Sequence, residues 1–175
     1  MSRLENVLSF AWLLPLAAVA CGTPRPIEIA ISGGQERVQI DGLAGCAAKR
    51  AETDAIDPER PLAVFVHGCN SSAGRFRALA EVFEAHGQQT ICFEYDDRES
   101  LDETSARFAA ALEQLEEHQR NPAITVLGHS QGGLVVRRAF ISEREDGVPP
   151  DEEKSYRLVT VSSPFNGIAA SAHCG

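Results

Sequence analysis

Positive charge is scarce in this chain: 16 Lys and Arg stand against 25 Asp and Glu, a net charge of −9 over 175 residues. The basic residues are scattered and nearly all are Arg. Nucleic-acid binding needs clustered cations to neutralise phosphates, so no nucleic-acid partner is expected. No run of like charge is long enough to form an interaction tail. There is no Cys-x-x-Cys and no pair of His at helical spacing, so no metal site is expected. Internal repeats and low-complexity tracts are also lacking. With 43% hydrophobic and 23% charged residues, the composition is that of one globular domain with a real core.

No apolar stretch comfortably reaches the roughly 20 residues needed to cross a bilayer. The apolar segment 7–20 follows Arg3 and ends in Ala18-Val19-Ala20-Cys21, before Gly22-Thr23-Pro24. Its length and small-residue end read as a secretory signal peptide over residues 1–20. The ending resembles a bacterial lipobox, in which Cys becomes the lipid-modified first residue of the mature protein. Ala18 stands where Leu is usual, and Glu5 dilutes the positive start. The expectation is an exported cell-envelope protein, held at the membrane by a lipid on Cys21, or periplasmic if the signal is an ordinary cleaved one. In an oxidising compartment, Cys46, Cys69, Cys92 and Cys174 allow three disulfide pairings, and sequence does not choose among them.

Beyond the signal, 27–31 and 38–40 flank Ser32-Gly33-Gly34 and read as a β-hairpin. Residues 41–60 read as a connection. From residue 61 strands and helices alternate. Leu62 to Val66 is a continuous apolar run, as in a central strand buried on both faces. A helix with Phe76, Leu79 and Phe83 on one face stops at Gly87. Thr90 to Tyr95 is the next strand. Ser100 and Glu103 form a capping box for a helix with Leu101, Ser105, Phe108, Leu112 and Leu115 in a stripe, ending before Asn121-Pro122. Strand 123–127, helix 134–142 and strand 156–161 follow. Such alternation predicts an α/β fold with a mostly parallel sheet and flanking helices, the hairpin adding antiparallel strands at one edge. Function should then lie just beyond the carboxyl ends of the strands.

Between strand 123–127 and the next helix stands Gly128-His129-Ser130-Gln131-Gly132-Gly133. This is Gly-x-Ser-x-Gly in the strand–turn–helix setting that the motif requires. A corner this tight strains the backbone of Ser130 and lifts its hydroxyl to the rim of the sheet. Side chains at 128 and 132 would clash with the neighbouring strand and helix. The amide of Gln131, at a helix N-terminus, is placed for a developing oxyanion. His67-Gly68-Cys69-Asn70 follows strand 62–66. A loop there supplies the second oxyanion donor in this layout, and Cys69 N–H is the candidate, with Gly68 allowing close approach. His67 reads as a loop histidine bonded to backbone. Cys69 equally fits a disulfide partner or a small buried residue. After the last strand comes Val161-Ser162-Ser163-Pro164-Phe165-Asn166-Gly167.

Taken with Phe93-Glu94-Tyr95-Asp96-Asp97, these segments resemble the lipase and esterase branch of the α/β-hydrolase superfamily, in the manner of bacterial lipases and GPI inositol-deacylases. The resemblance covers about residues 61 to 168. It implies a partial hydrolase domain over 61–175, after a hairpin and linker over 21–60. It implies hydrolysis of a small-molecule or lipid carboxylic ester through an acyl-enzyme at Ser130, with no metal or organic cofactor. The motif residues Gly128, His129 and Gly132 would shape the elbow, and Gln131 and Cys69 the oxyanion hole.

The family's triad runs Ser, then Asp or Glu, then His. Here the only His after Ser130 is His173, and no Asp or Glu follows Glu153. His67 precedes Ser130, His129 is expected to point away from the hydroxyl, and His118 is expected to be solvated on a helix. The chain therefore reads as a truncated hydrolase with an incomplete triad. The alternatives are a catalytically silent envelope module on the same fold, or a minimal enzyme using His173. A sheet ending at strand 156–161 would expose an apolar edge and favour association.

Overall fold

A computed structural model describes residues 30–32, 35–46, 54–145 and 155–167. The expected signal segment, Cys21, Cys174 and His173 lie outside the described residues.

The main sheet is built from β3 (Leu43–Ala44), β5 (Leu62–Val66), β6 (Gln89–Phe93), β7 (Ala123–His129) and β8 (Ser155–Val161), in the order β3-β6-β5-β7-β8. The last four strands run parallel, and β3 is antiparallel to β6. Three helices connect them: α1 (Arg77–Ala85), preceded by a 3-10 turn at Ala73–Phe76, α2 (Leu101–Glu117) and α3 (Gln131–Glu145).

β5 shows why this is a two-sided sheet. All five of its residues are buried, and they divide by parity between two cores. Leu62, Val64 and Val66 face α2 and α3, with Phe108, Leu112, Leu115, Val135 and Val136. Ala63 and Phe65 face the α1 side, where Phe65 meets Phe76 at 5.2 Å and Phe83 edge-on at 5.1 Å. A strand that serves a core on each face has no polar position, which is why the run reads as continuously apolar.

The helix ends follow local chemistry. Ser100 Oγ accepts the Glu103 N–H at 3.2 Å, the N-cap half of the expected capping box, and its hydroxyl donates to the Glu103 carboxylate at 2.9 Å, where the full box would have that carboxylate accept the Ser100 N–H. Gly87, at φ +84°, closes the end of α1 in a conformation that suits glycine.

Five expectations need correction. The hairpin β1 (Ala30–Ser32) with β2 (Gln35–Val38) forms, but it does not edge the main sheet. Its outer side is taken by β4 (Asp54–Ile56), which makes a separate three-stranded sheet. The antiparallel edge is instead β3, from the segment read as a connection; a Glu94 N–H to Gly42 O bond at 2.7 Å and the Cys46–Cys92 disulfide hold it there. On α2, Leu101 is 36% exposed, because the buried face runs through Thr104, Ser105, Phe108, Ala111, Leu112 and Leu115 and leaves the first turn outside. His118 is the half-buried C-cap of α2, its N–H bonded to Leu115 O at 3.2 Å, and is not a solvated helix residue. The third helix also starts at Gln131, directly after the turn, ahead of the expected Leu134.

β8 is the last strand of the sheet among the described residues, with Leu158 and Val161 exposed at 46% and 44%.

Candidate active site

β7 ends at His129 and α3 begins at Gln131, so a single residue, Ser130, makes the whole corner. Its φ is +53°, a left-handed conformation that costs a non-glycine residue roughly 1–2 kcal/mol. The surroundings enforce it. The Ser130 N–H donates to Val161 O of β8 at 2.8 Å, and Ser130 O accepts the Gly133 N–H at 3.1 Å.

The neighbouring glycines leave no room for anything else. A Cβ at Gly132 would stand 2.2 Å from Val66 O and 2.3 Å from His67 O. One at Gly128 would stand 2.6 Å from Gly133 Cα. The elbow is therefore wedged between the first turn of α3 and the carboxyl end of β5. Gly133 belongs to the same packing, since a Cβ there would fall 1.8 Å from the Ser163 hydroxyl.

The loop after β5 lies on the other side of Ser130. A Cβ on Gly68 would stand 2.9 Å from Ser130 Cβ and 3.0 Å from His129 O. His67 is buried behind this contact. Its ring stacks on Tyr95 at 4.3 Å, its Nδ1 lies 3.0 Å from Gly68 O, and its Nε2 stands 3.7 Å from the Glu94 carboxylate. The Tyr95 hydroxyl donates to His67 O at 2.6 Å. Burial, and secondarily the Asp97 carboxylate, pushes the Tyr95 phenol far above its ordinary pKa, so it stays a donor. Cys69 is half-buried and disulfide-bonded. Asn70 follows at φ +54°, its N–H donating to Asp97 Oδ2.

A third strand end closes the group. Ser162, directly after β8, also has φ +54°, and Ser163 brings its Oγ against Gly133. Arg137 lies over the ring of Phe165 at 5.1 Å. An open cavity of about 310 Å³ lies between α3 and β8, lined by Val136, Phe140, Ile141, Leu158 and Phe165 among others.

The structure thus brings Ser130, Gln131, Gly128, Gly132 and the Gly68–Cys69 loop to one end of the sheet. His129 is exposed beside them. Among the described residues, no side chain hydrogen-bonds the Ser130 hydroxyl. Gly133, Ser163, Tyr95 and Asp97 lie in segments that the sequence singles out, but their individual roles in this cluster are not assigned there. The doubled glycine and the acidic end of strand β6 were the available signals.

A mostly parallel sheet with flanking helices and a serine at a glycine-flanked strand–helix corner defines an α/β-hydrolase. The sequence profile described as palmitoyl protein thioesterase matches residues 62–175, and the chain belongs to that family. A search of curated proteins gave no match. Among solved structures, the mature lipase BlEst2 of Bacillus licheniformis superposes with a TM-score of 0.51 at 21% identity, covering 66% of this chain and 46% of the lipase. Est1E from Butyrivibrio proteoclasticus gives 0.45 at 21% identity, covering 68% of this chain and 46% of Est1E. The thioesterase domain from the curacin biosynthetic pathway gives 0.47 at 16%, covering 85% and 50%. The first likeness supports the fold. The chain spans about half the length of these structures or less.

Proposed function

We propose that this chain carries the acylation half of an ester- or thioester-cleaving site, with Ser130 as nucleophile. Ser130 Oγ attacks the substrate carbonyl carbon, and the oxyanion that forms is held by the amides of Gln131 and Cys69. Collapse breaks the bond from the carbonyl to oxygen or sulfur, and the alcohol or thiol leaves with a proton. Water then attacks the Ser130 ester, releases the acid and restores the hydroxyl. The proton removed from Ser130 requires a base, and the family order of residues puts acid and base after the nucleophile.

The close approach of Gly68 to Ser130, 2.9 Å from the position of a Cβ, carries this reading. It sets the loop that would donate to an oxyanion directly over the strained serine. The membership in a thioesterase family supports an acyl substrate. The test is acyl trapping: incubation with a p-nitrophenyl ester and with an acyl thioester, then mass mapping of the Ser130 peptide. An acyl mass on that peptide, absent from Ser130→Ala, is expected. The same acyl load on Ser130→Ala removes Ser130 from the reaction.

The alternative reading is a silent module on a hydrolase fold. Acyl trapping that yields no adduct on either protein selects it.

We further propose that the chain is exported to the cell envelope, at the membrane through a lipid on Cys21 or free in the periplasm. The buried Cys46–Cys92 disulfide supports an oxidising compartment. Radiolabelled fatty acid should enter the full chain and not its Cys21→Ala variant; equal incorporation removes the anchor.

A further inference from the structure

We propose that Asp97 is a positioning residue that holds the Cys69 amide in register with Ser130. This rests on the acyl-transfer reading above. Asp97 lies on the loop between β6 and α2, on neither of the elements that carry the two oxyanion donors. Yet it bonds to the residue after each partner of the site. Its Oδ2 accepts the N–H of Asn70, the neighbour of Cys69. Its backbone O accepts Gln131 Nε2, from the neighbour of Ser130, at 3.3 Å. One residue therefore ties the oxyanion loop to the elbow across 27 and 34 positions of sequence.

The loop needs such a tie. Gly68 has no Cβ to restrict its backbone, and Asn70 turns the chain at φ +54° directly after Cys69. A hydrogen bond from an amide to a carboxylate is roughly twice as strong as one between neutral groups. The Asp97 bond fixes the peptide plane next to the donor, while the Tyr95 hydroxyl fixes the other side of the loop at His67 O. Asp96, the adjacent carboxylate, does something else: its Oδ1 accepts the Arg98 N–H within its own loop at 3.0 Å. It carries the same charge beside the same site without the tie, and so serves as the control.

The experiment is the rate of Ser130 modification by a fluorophosphonate on the full chain, resolved into the limiting rate and the half-saturating concentration. A fluorophosphonate places its phosphoryl oxygen where the oxyanion would lie. Removing one oxyanion donor outright costs on the order of 10²–10³ in rate. Displacing one should cost less, so Asp97→Ala is expected to lower the limiting rate about 10-fold or more, with half-saturation unchanged. Asp97→Asn keeps an acceptor and should stay within about threefold, and Asp96→Ala should match the wild type. Asp97→Glu, which shifts the acceptor by one methylene and keeps the charge, should be slowed as well and serves if Asp97→Ala does not fold. Hydrogen exchange over residues 67–71 should accelerate in the slowed variants. Wild-type rates and exchange in both folded Asp97 variants overturn the inference and leave the hydrolase reading standing. Equal slowing by Asp96→Ala overturns it in favour of a bulk charge effect. No modification of Ser130 in the wild type overturns the acyl-transfer reading, and this inference with it.

Discussion

Gly68 stands so close to Ser130 that a Cβ on the glycine would lie 2.9 Å from the serine Cβ. Two strand ends that are 62 positions apart in sequence thereby share one point in space. β5 supplies the loop, β7 supplies the corner, and their parallel pairing at Val66 and Gly128 sets them side by side. The proposed acyl transfer needs a nucleophile beside an oxyanion donor, and this contact supports that proposal.

Gly68→Ala should push the loop off the elbow. The two nearest atoms it meets are Ser130 Cβ and the His129 carbonyl, neither of them the end of a flexible side chain, with the His129 Nδ1 next at 3.3 Å. The fluorophosphonate rate at Ser130 should fall at least about 10-fold, as expected for a displaced oxyanion donor. A wild-type rate would show that the loop has slack.

Gly132→Ala should cost stability outright. Its Cβ would meet the carbonyls of Val66 and His67 at 2.2 and 2.3 Å, and backbone on a central strand has little freedom to move. Overpacking of this kind costs about 3 kcal/mol, at the upper end of the usual range. Urea unfolding should show the midpoint shift; a loss below about 1 kcal/mol would mean that α3 is not wedged against β5.

The Cys46–Cys92 disulfide spans a sequence separation of 46 residues and pins β3 to the edge of the sheet. Closing a loop of that size in the unfolded chain is worth about 4 kcal/mol on the chain-entropy account. The double variant Cys46→Ala, Cys92→Ala should lose about 2–4 kcal/mol in chemical unfolding. It leaves the disulfide at Cys69 intact, so reductant should destabilise it further.

Tyr95 gives a signed pH dependence. Its folded pKa is raised, first by burial and then by Asp97. The stability it confers is therefore fully present below the unfolded phenol value of about 10 and is lost as pH rises towards the folded value. Unfolding free energy should fall above about pH 10, and less steeply in Tyr95→Phe. An unchanged slope in that variant would place the alkaline sensitivity elsewhere.

Much of this was legible in the sequence, for local reasons. Leu62 to Val66 reads as a central strand because burial on both faces leaves no polar position. Ser130 reads as a corner because only glycine fits at 128 and 132. What stayed hidden depends on distant pairing. Leu43–Ala44 is a two-residue strand with no period to detect, and it exists because Phe93 and Cys92 lie opposite. The hairpin left the main sheet because Asp54–Ile56, read as linker, took its outer side. The tie from Asp97 to Asn70 has no sequence signature, since it arises only when β5 and β6 are paired side by side. Leu101 misled because a helical stripe fixes a direction and not how far the sheet beneath it extends.

The most direct test of the central claim is to treat the full chain with a fluorophosphonate and map the adduct by mass spectrometry of its peptides. A single adduct on Ser130, absent from Ser130→Ala, is the predicted result. An adduct elsewhere, or equal labelling of Ser130→Ala, would contradict it.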